Sequence, residues 1–168
     1  IGAAAGCSVL GIDIDPARLA LASSLGLQAV SRNQAIDSVQ AFTSNRGFDL
    51  SLICADTPSN DPVELAGIIA RDRARVVATG AVGLTIPRKI YYEKEIAFIS
   101  SRSYGPGRYD SNYEENGEDY PIGYIRWTEG RNFQAVVELL SSRKLKVESL
   151  ITHRFPIAEG VQAYEVIT

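Results

Sequence analysis

Apolar positions along this chain fall into short continuous runs, separated by segments with helical spacing. Residues 8–13, Ser-Val-Leu-Gly-Ile-Asp, are mostly apolar and end in a carboxylate, the pattern of a buried strand. Asp15-Pro16 then predicts a helix start, with Asp15 as N-cap and Pro16 at the first helical position. Leu19, Leu21, Ala22 and Leu25 give that helix an apolar side, and Gly26 ends it. Residues 28–30 read as a short strand and residues 34–44 as a second helix. Residues 48–54, Phe-Asp-Leu-Ser-Leu-Ile-Cys, form the next buried run, and residues 57–62 are turn-forming. A helix over 63–71, a strand over 75–80 ending at glycine, and a strand over 95–101 follow. Strands alternating with helices at this spacing predict an α/β fold, a parallel sheet covered on both faces.

The pattern changes at Tyr104. From there to Tyr124 the chain is rich in Gly, Pro, Tyr, Asn and Asp, too long a stretch for an ordinary connection. With the residues up to Trp127 it reads as an aromatic-rich insertion, either a functional loop or an interface segment. A helix over 128–143 follows, with Thr128 as N-cap. Residues 149–152 predict a last strand. A closing helix spans 157–167, with Ala158, Val161, Ala163, Tyr164 and Ile167 near its apolar side.

The 168 residues suit one domain with a sizeable core. The net charge of −3 and the scattered basic residues argue against nucleic acid or an anionic membrane as partner. No apolar run is long enough to cross a bilayer, and the first residues lack the layout of a signal peptide, so a cytoplasmic setting is expected. Cys7 and Cys54, each beside an apolar run, read as buried free thiols. Two distant cysteines and the single His153 do not make a zinc cluster, so any metal chemistry of a parent enzyme is expected elsewhere.

The most informative position is Asp13. A carboxylate ending the second strand of a Rossmann unit accepts hydrogen bonds from both ribose hydroxyls of an adenosine and repels a 2′-phosphate, favouring NAD over NADP. Arg18, one helical turn further on, lies within reach of the same ribose or a phosphate. An aspartate also ends strands with no ligand to bind; the surrounding pattern favours the ligand. A phosphate-binding glycine loop belongs about 20 residues upstream of such an Asp. Counting back runs off the front of the chain, and Gly2 and Gly6 have the wrong spacing for the motif. Ile1 to Ala5 then read as the tail of the first Rossmann helix, with the first strand and glycine loop absent. That strand lies at the sheet's centre in the usual order. Without it the two halves have no bridge, and the chain must rearrange, borrow a strand or leave a groove open. Ligands of such sheets bind at the carboxyl ends of the strands. Those ends offer Cys54-Ala55-Asp56-Thr57, Thr79-Gly80-Ala81 and Ser100-Ser101-Arg102-Ser103, small residues that let a flat ring approach the backbone.

Ala4-Ala5-Gly6-Cys7-Ser8-Val9-Leu10-Gly11-Ile12-Asp13-Ile14-Asp15-Pro16, with Arg18-Leu19 and Leu25-Gly26, resembles the second strand and helix of the medium-chain (zinc-type alcohol) dehydrogenases. Phe48-Asp49-Leu50, Arg75-Val76-Val77-Ala78-Thr79-Gly80 and Lys94-Glu95-Ile96 are similar to that family's next strands, and residues 150–157 with Ala163-Tyr164 to its closing segment. Ser103-Tyr104-Gly105-Pro106-Gly107-Arg108-Tyr109-Asp110, Asp119-Tyr120-Pro121-Ile122-Gly123-Tyr124 and Arg126-Trp127-Thr128-Glu129 resemble bacterial two-domain oxidoreductases in which a glucose–fructose oxidoreductase-like half follows.

The resemblance implies a Rossmann-like doubly wound domain over 1–168, truncated at its N-terminus, from an NAD(P)-dependent oxidoreductase acting on an alcohol or carbonyl, with a sugar derivative as the implied substrate. It assigns Asp13, Ile14 and Arg18 to the adenosine side. It puts Cys54, Ala55 and Thr57 beside a ribose, Thr79, Gly80 and Ala81 at the nicotinamide carboxamide, and Ser101 and Ser103 beside it. No residue receives a catalytic role; the catalytic domain, an expected partner, lies outside the chain, and the chain alone is expected to be inactive. His153 reads as a packing or interface residue. The tyrosines from 104 to 124 and Trp127 suit sugar stacking or, preferably, burial against another domain. Self-association through open sheet edges is expected. A methyltransferase, whose second strand also ends in a ribose-binding acid, and a non-catalytic interaction module are the rival readings.

Overall fold

The computed structural model describes residues 1–166; Ile167 of the expected closing helix lies outside them. A 3-10 turn at Ala3–Ala5 leads into strand β1 (Leu10–Asp13). Helix α1 (Pro16–Ser24) starts as the sequence dictates: the Asp15 carboxylate accepts from the Ala17 amide at 2.8 Å, and Pro16 sits in the first turn. Gly26, at φ 78°, turns the chain out of the helix into β2 (Gln28–Ser31). Next come α2 (Ala35–Thr43), β3 (Phe48–Ile53), α3 (Asp61–Ile69), β4 (Ala70–Ala78), α4 (Arg88–Glu93) and β5 (Ala97–Ser100). Beyond β5 lie a single helical turn, α5 (Ser111–Glu114), then α6 (Glu129–Ser141) and α7 (Gly160–Val166).

All strand pairs are parallel, in two separate sheets. Among the described residues β1 pairs only with β2, and β3, β4 and β5 form the second sheet in that order. Of the three possibilities left open by the sequence, the halves stay apart. Apolar packing holds them together, with the Arg32–Asp61 ion pair beside it. Leu10 and Ile12 of β1 and Phe48 of β3 rest on one cluster made by Ala35 and Val39 of α2 with Leu65 and Ile69 of α3. A second cluster places Val63 and Ala66 of α3 over Ile53 and Val76, closed by Tyr91 of α4. Helix α3 therefore serves both. Tyr91 donates its hydroxyl proton to the Val63 carbonyl at 2.8 Å, and burial pushes that phenol up to about 12. The Lys94 ammonium donates to the carbonyls of Gly67, Ile68 and Ala70, satisfying the orphan acceptors at the end of α3.

The opposite face of the larger sheet is bare. Leu50, Leu52 and Ile99 are exposed there, and α6 carries an exposed apolar stripe of Phe133, Val137 and Leu140. Several sequence expectations need correction. Helix α3 begins at Asp61 rather than at residue 63, because Pro62 is accommodated in its first turn. It ends at Ile69, since Ala70 already pairs with Phe48. Helix α4, unmarked by a cap signal, was not anticipated. Residues 149–152 form no strand: a 3-10 turn occupies Glu148–Leu150, and Ile151 and Thr152 have no strand to pair with among the described residues. Cys7 and Cys54 are free but exposed, not buried, because each lies just outside its strand rather than within it.

Candidate functional site

Strand register lines up the carboxyl ends of the larger sheet. Ile53, Ala78 and Ser100 are level, so the loops beginning at Cys54, Thr79 and Ser101 leave side by side. The first two are laced together. The amides of Thr79 and Gly80 both donate to the Ile53 carbonyl at 2.9 Å, and the Thr79 hydroxyl donates to it at 3.0 Å. The Thr57 amide donates to the Ala81 carbonyl at 2.8 Å, and Thr57 bridges to Val82. A Cβ on Gly80 would overlap the Ala55 carbonyl oxygen, so only glycine fits where these loops cross. The Ser101 amide donates to the Ala78 carbonyl at 2.8 Å, extending the array by one strand. Six of the sequence-identified positions, Cys54, Ala55, Thr57, Thr79, Gly80 and Ala81, thus share one ledge, with Ser101 and the exposed Ser103 beside it.

Asp13, Ile14 and Arg18 form a second group at the end of β1. One carboxylate oxygen of Asp13 accepts from the Asp15 amide at 2.9 Å; the other has the Arg18 guanidinium at 3.9 Å as its nearest charge partner. Arg18 also approaches Asp15 at 3.6 Å, so it serves the aspartates rather than standing free. Ile14 is exposed. No hydrogen bond or ion pair among the described residues joins this group to the ledge. For a dinucleotide the chemistry fits at both ends: a half-exposed carboxylate with one oxygen open to ribose hydroxyls, and a ledge of small residues at the strand ends.

Sequence reasoning missed the construction of the segment after β5. Tyr104, Gly105, Gly107 and Tyr109 all have left-handed backbone, costly for the two tyrosines by about 1–3 kcal/mol each. Side chains hold them there. The Arg108 guanidinium lies over the Tyr104 ring at 5.1 Å and the Tyr109 ring at 4.7 Å, and pairs with Glu114 at 2.6 Å. Tyr120 donates to Asp110, which holds that carboxyl below its usual value, and stacks on Tyr113. The Tyr113 hydroxyl meets the fully buried Thr128 and accepts from the Gly130 amide. Thr128 precedes α6 as expected, but its hydroxyl serves Tyr113 instead of capping the helix. The closely spaced Arg and Tyr residues were the available signal. Tyr124 and Trp127 remain exposed, Trp127 under the Arg126 guanidinium at 4.4 Å. His153 stacks on Phe155 in an apolar groove of about 580 Å³ lined also by Leu150, Ile151 and Tyr164.

Among the described residues, no group of three or more His, Cys, Asp or Glu side chains is arranged to hold a metal ion. No helix among them is long and apolar enough to cross a membrane.

A family model described as zinc-binding dehydrogenase matches residues 1–118. Among solved structures, the galactitol-1-phosphate dehydrogenase of Escherichia coli is 26% identical with a TM-score of 0.66, over 95% of this chain and 42% of its own. The alcohol dehydrogenase TADH of Thermus sp. ATN1 is 23% identical with a TM-score of 0.64, over 95% of this chain and 40% of its own. The zinc-dependent alcohol dehydrogenase 2 of Streptococcus pneumonia is 20% identical with a TM-score of 0.65, over 94% and 40%. The chain spans about two fifths of the length of these structures. It belongs to the zinc-binding dehydrogenase family and corresponds to the NAD(P)-binding, Rossmann-like domain of that medium-chain superfamily.

Proposed function

We propose that this chain is the cofactor-binding domain of an oxidoreductase that moves hydride between a nicotinamide and an alcohol or carbonyl carbon, with NAD preferred over NADP. The observation that carries the preference is the Asp13 carboxylate at the end of β1, with one oxygen uncommitted to any short hydrogen bond. Its charge suits ribose hydroxyls and opposes a 2′-phosphate. Ile14 and Arg18 flank the adenosine. Cys54, Ala55 and Thr57 line a ribose, Thr79, Gly80 and Ala81 meet the carboxamide with backbone groups, and Ser101 and Ser103 close the far side. Bound cofactor supplies the hydride chemistry; this domain supplies position and electrostatics.

A gap separates β1 from β3. Both strands rest on one apolar cluster yet do not pair, and a further parallel strand of the parent protein between them restores one continuous sheet. That strand is also where the glycine loop belongs. The domain then works with a separate catalytic domain, and the chain alone does not turn over substrate. A sugar derivative is the substrate class we favour, consistent with likeness to a dehydrogenase named for a sugar-alcohol phosphate.

Saturation-transfer NMR with NADH tests the reading against its rivals. Adenosine and nicotinamide signals that NAD⁺ displaces are the expected result. Saturable S-adenosylmethionine signals with none from NADH favour a methyltransferase and overturn it.

A further inference from the structure

We infer that the loop leaving β5 holds a recognition site for an anionic group, carboxylate or phosphate, carried by the substrate; this deepens the oxidoreductase reading and rests on it. Among the described residues, one buried side-chain nitrogen lacks a hydrogen-bond partner: Nε of Arg108. A buried charged donor without an acceptor is unusual enough to require a reason. Its neighbours suggest one. The Tyr109 ring has the Arg108 guanidinium 4.7 Å from its centroid and the Arg102 guanidinium 5.5 Å from it. Two cations therefore share one aromatic ring.

Only one of those cations is neutralised. Arg108 pairs with Glu114, whereas Arg102 donates to the Arg108 carbonyl at 3.0 Å and has no carboxylate within 4 Å among the described residues. The nearby Asp110 is engaged by Tyr120 and the Asn112 amide. Tyr109 itself is 69% exposed and sits on left-handed backbone; its amide donates to the Glu114 carboxylate at 3.1 Å, while its ring is held by the two guanidiniums. An anion entering beside Tyr109 pairs with Arg102 and gives Arg108 Nε its missing acceptor, displacing a ring that makes weaker contacts with both. The place is suited to a substrate. Arg102 lies two residues past the end of β5, where the loop departs from the ledge of strand ends.

The test follows the Arg Nε–H resonances of the whole chain by NMR during titration with inorganic phosphate and, separately, acetate, each with and without NAD⁺. A saturable shift of the Arg108 Nε–H signal is expected, weakened about tenfold in R102Q and unchanged in R126Q, whose guanidinium lies over Trp127 outside the cluster. The stronger of the two anions identifies the substrate's charged group. No shift with either anion, or the same affinity in R102Q, overturns the proposal. Loss of the shift on adding NAD⁺ also overturns it, because the site then serves the cofactor's own phosphates. An anion-induced shift in a protein whose parent binds no nicotinamide cofactor leaves the anion site standing and removes the oxidoreductase reading.

Discussion

Gly80 packs against Ala55 so closely that a Cβ placed on it would overlap the Ala55 carbonyl oxygen and lie 2.8 Å from the Cys54 carbonyl carbon. The obstacle is backbone, which cannot step aside as a flexible side chain does. G80A is therefore expected to destabilise the chain by about 1–3 kcal/mol, by overpacking. G123A, with nothing within 4 Å of its new methyl, serves as control and stays within about 0.5 kcal/mol. Urea unfolding of the two variants checks this; equal midpoints contradict the crossing of the two loops.

The Arg32 guanidinium grips the Asp61 carboxylate with two hydrogen bonds, 2.7 and 2.5 Å, tying the end of β2 to the start of α3. Those bonds hold the Asp61 carboxyl below its usual value and Arg32 above its own. A carboxyl lowered in the fold adds stability that is present above its unfolded value, about 3.9, and is lost as pH falls through the folded value. D61N is expected to flatten the acid limb of a stability-against-pH curve and leave the limb above about pH 10 as it was. Tyr91, raised to about 12, contributes to that upper limb, and its share fades as pH rises from about 10 toward that value. An unchanged acid limb in D61N contradicts the assignment.

How much of this was legible in the residues depended on how local the cause was. Asp15-Pro16 and Gly26 set the ends of α1 through contacts within a few residues, and the helix starts and stops there. Asp13 and the three strand-end clusters were legible because position at the end of an apolar run decides where they lie. The strand expected at 149–152 failed because a strand exists only with a partner, which no local pattern supplies. Cysteine burial failed for a related reason: the apolar runs extend one or more residues past the paired backbone. The Arg108–Tyr109–Glu114 network depends on left-handed backbone at Tyr104 and Tyr109, which nothing in a tyrosine foretells.

Free strand edges on β1 and β3, the bare Leu50, Leu52 and Ile99, and the stripe on α6 together favour association of the isolated chain. Light scattering is expected to give a dimer or higher species that L52K shifts toward monomer. A clean monomer at high concentration contradicts this.

The central claim is that Asp13 reads the adenosine ribose of NAD. Calorimetric titration of the parent protein with NAD⁺ and NADP⁺, repeated for D13A, tests it most directly. The account predicts tighter binding of NAD⁺ than of NADP⁺, a loss of about 10–100-fold in NAD⁺ affinity on D13A, and a preference that narrows or reverses. NADP⁺ bound more tightly by the unaltered protein, or NAD⁺ affinity indifferent to D13A, would contradict it.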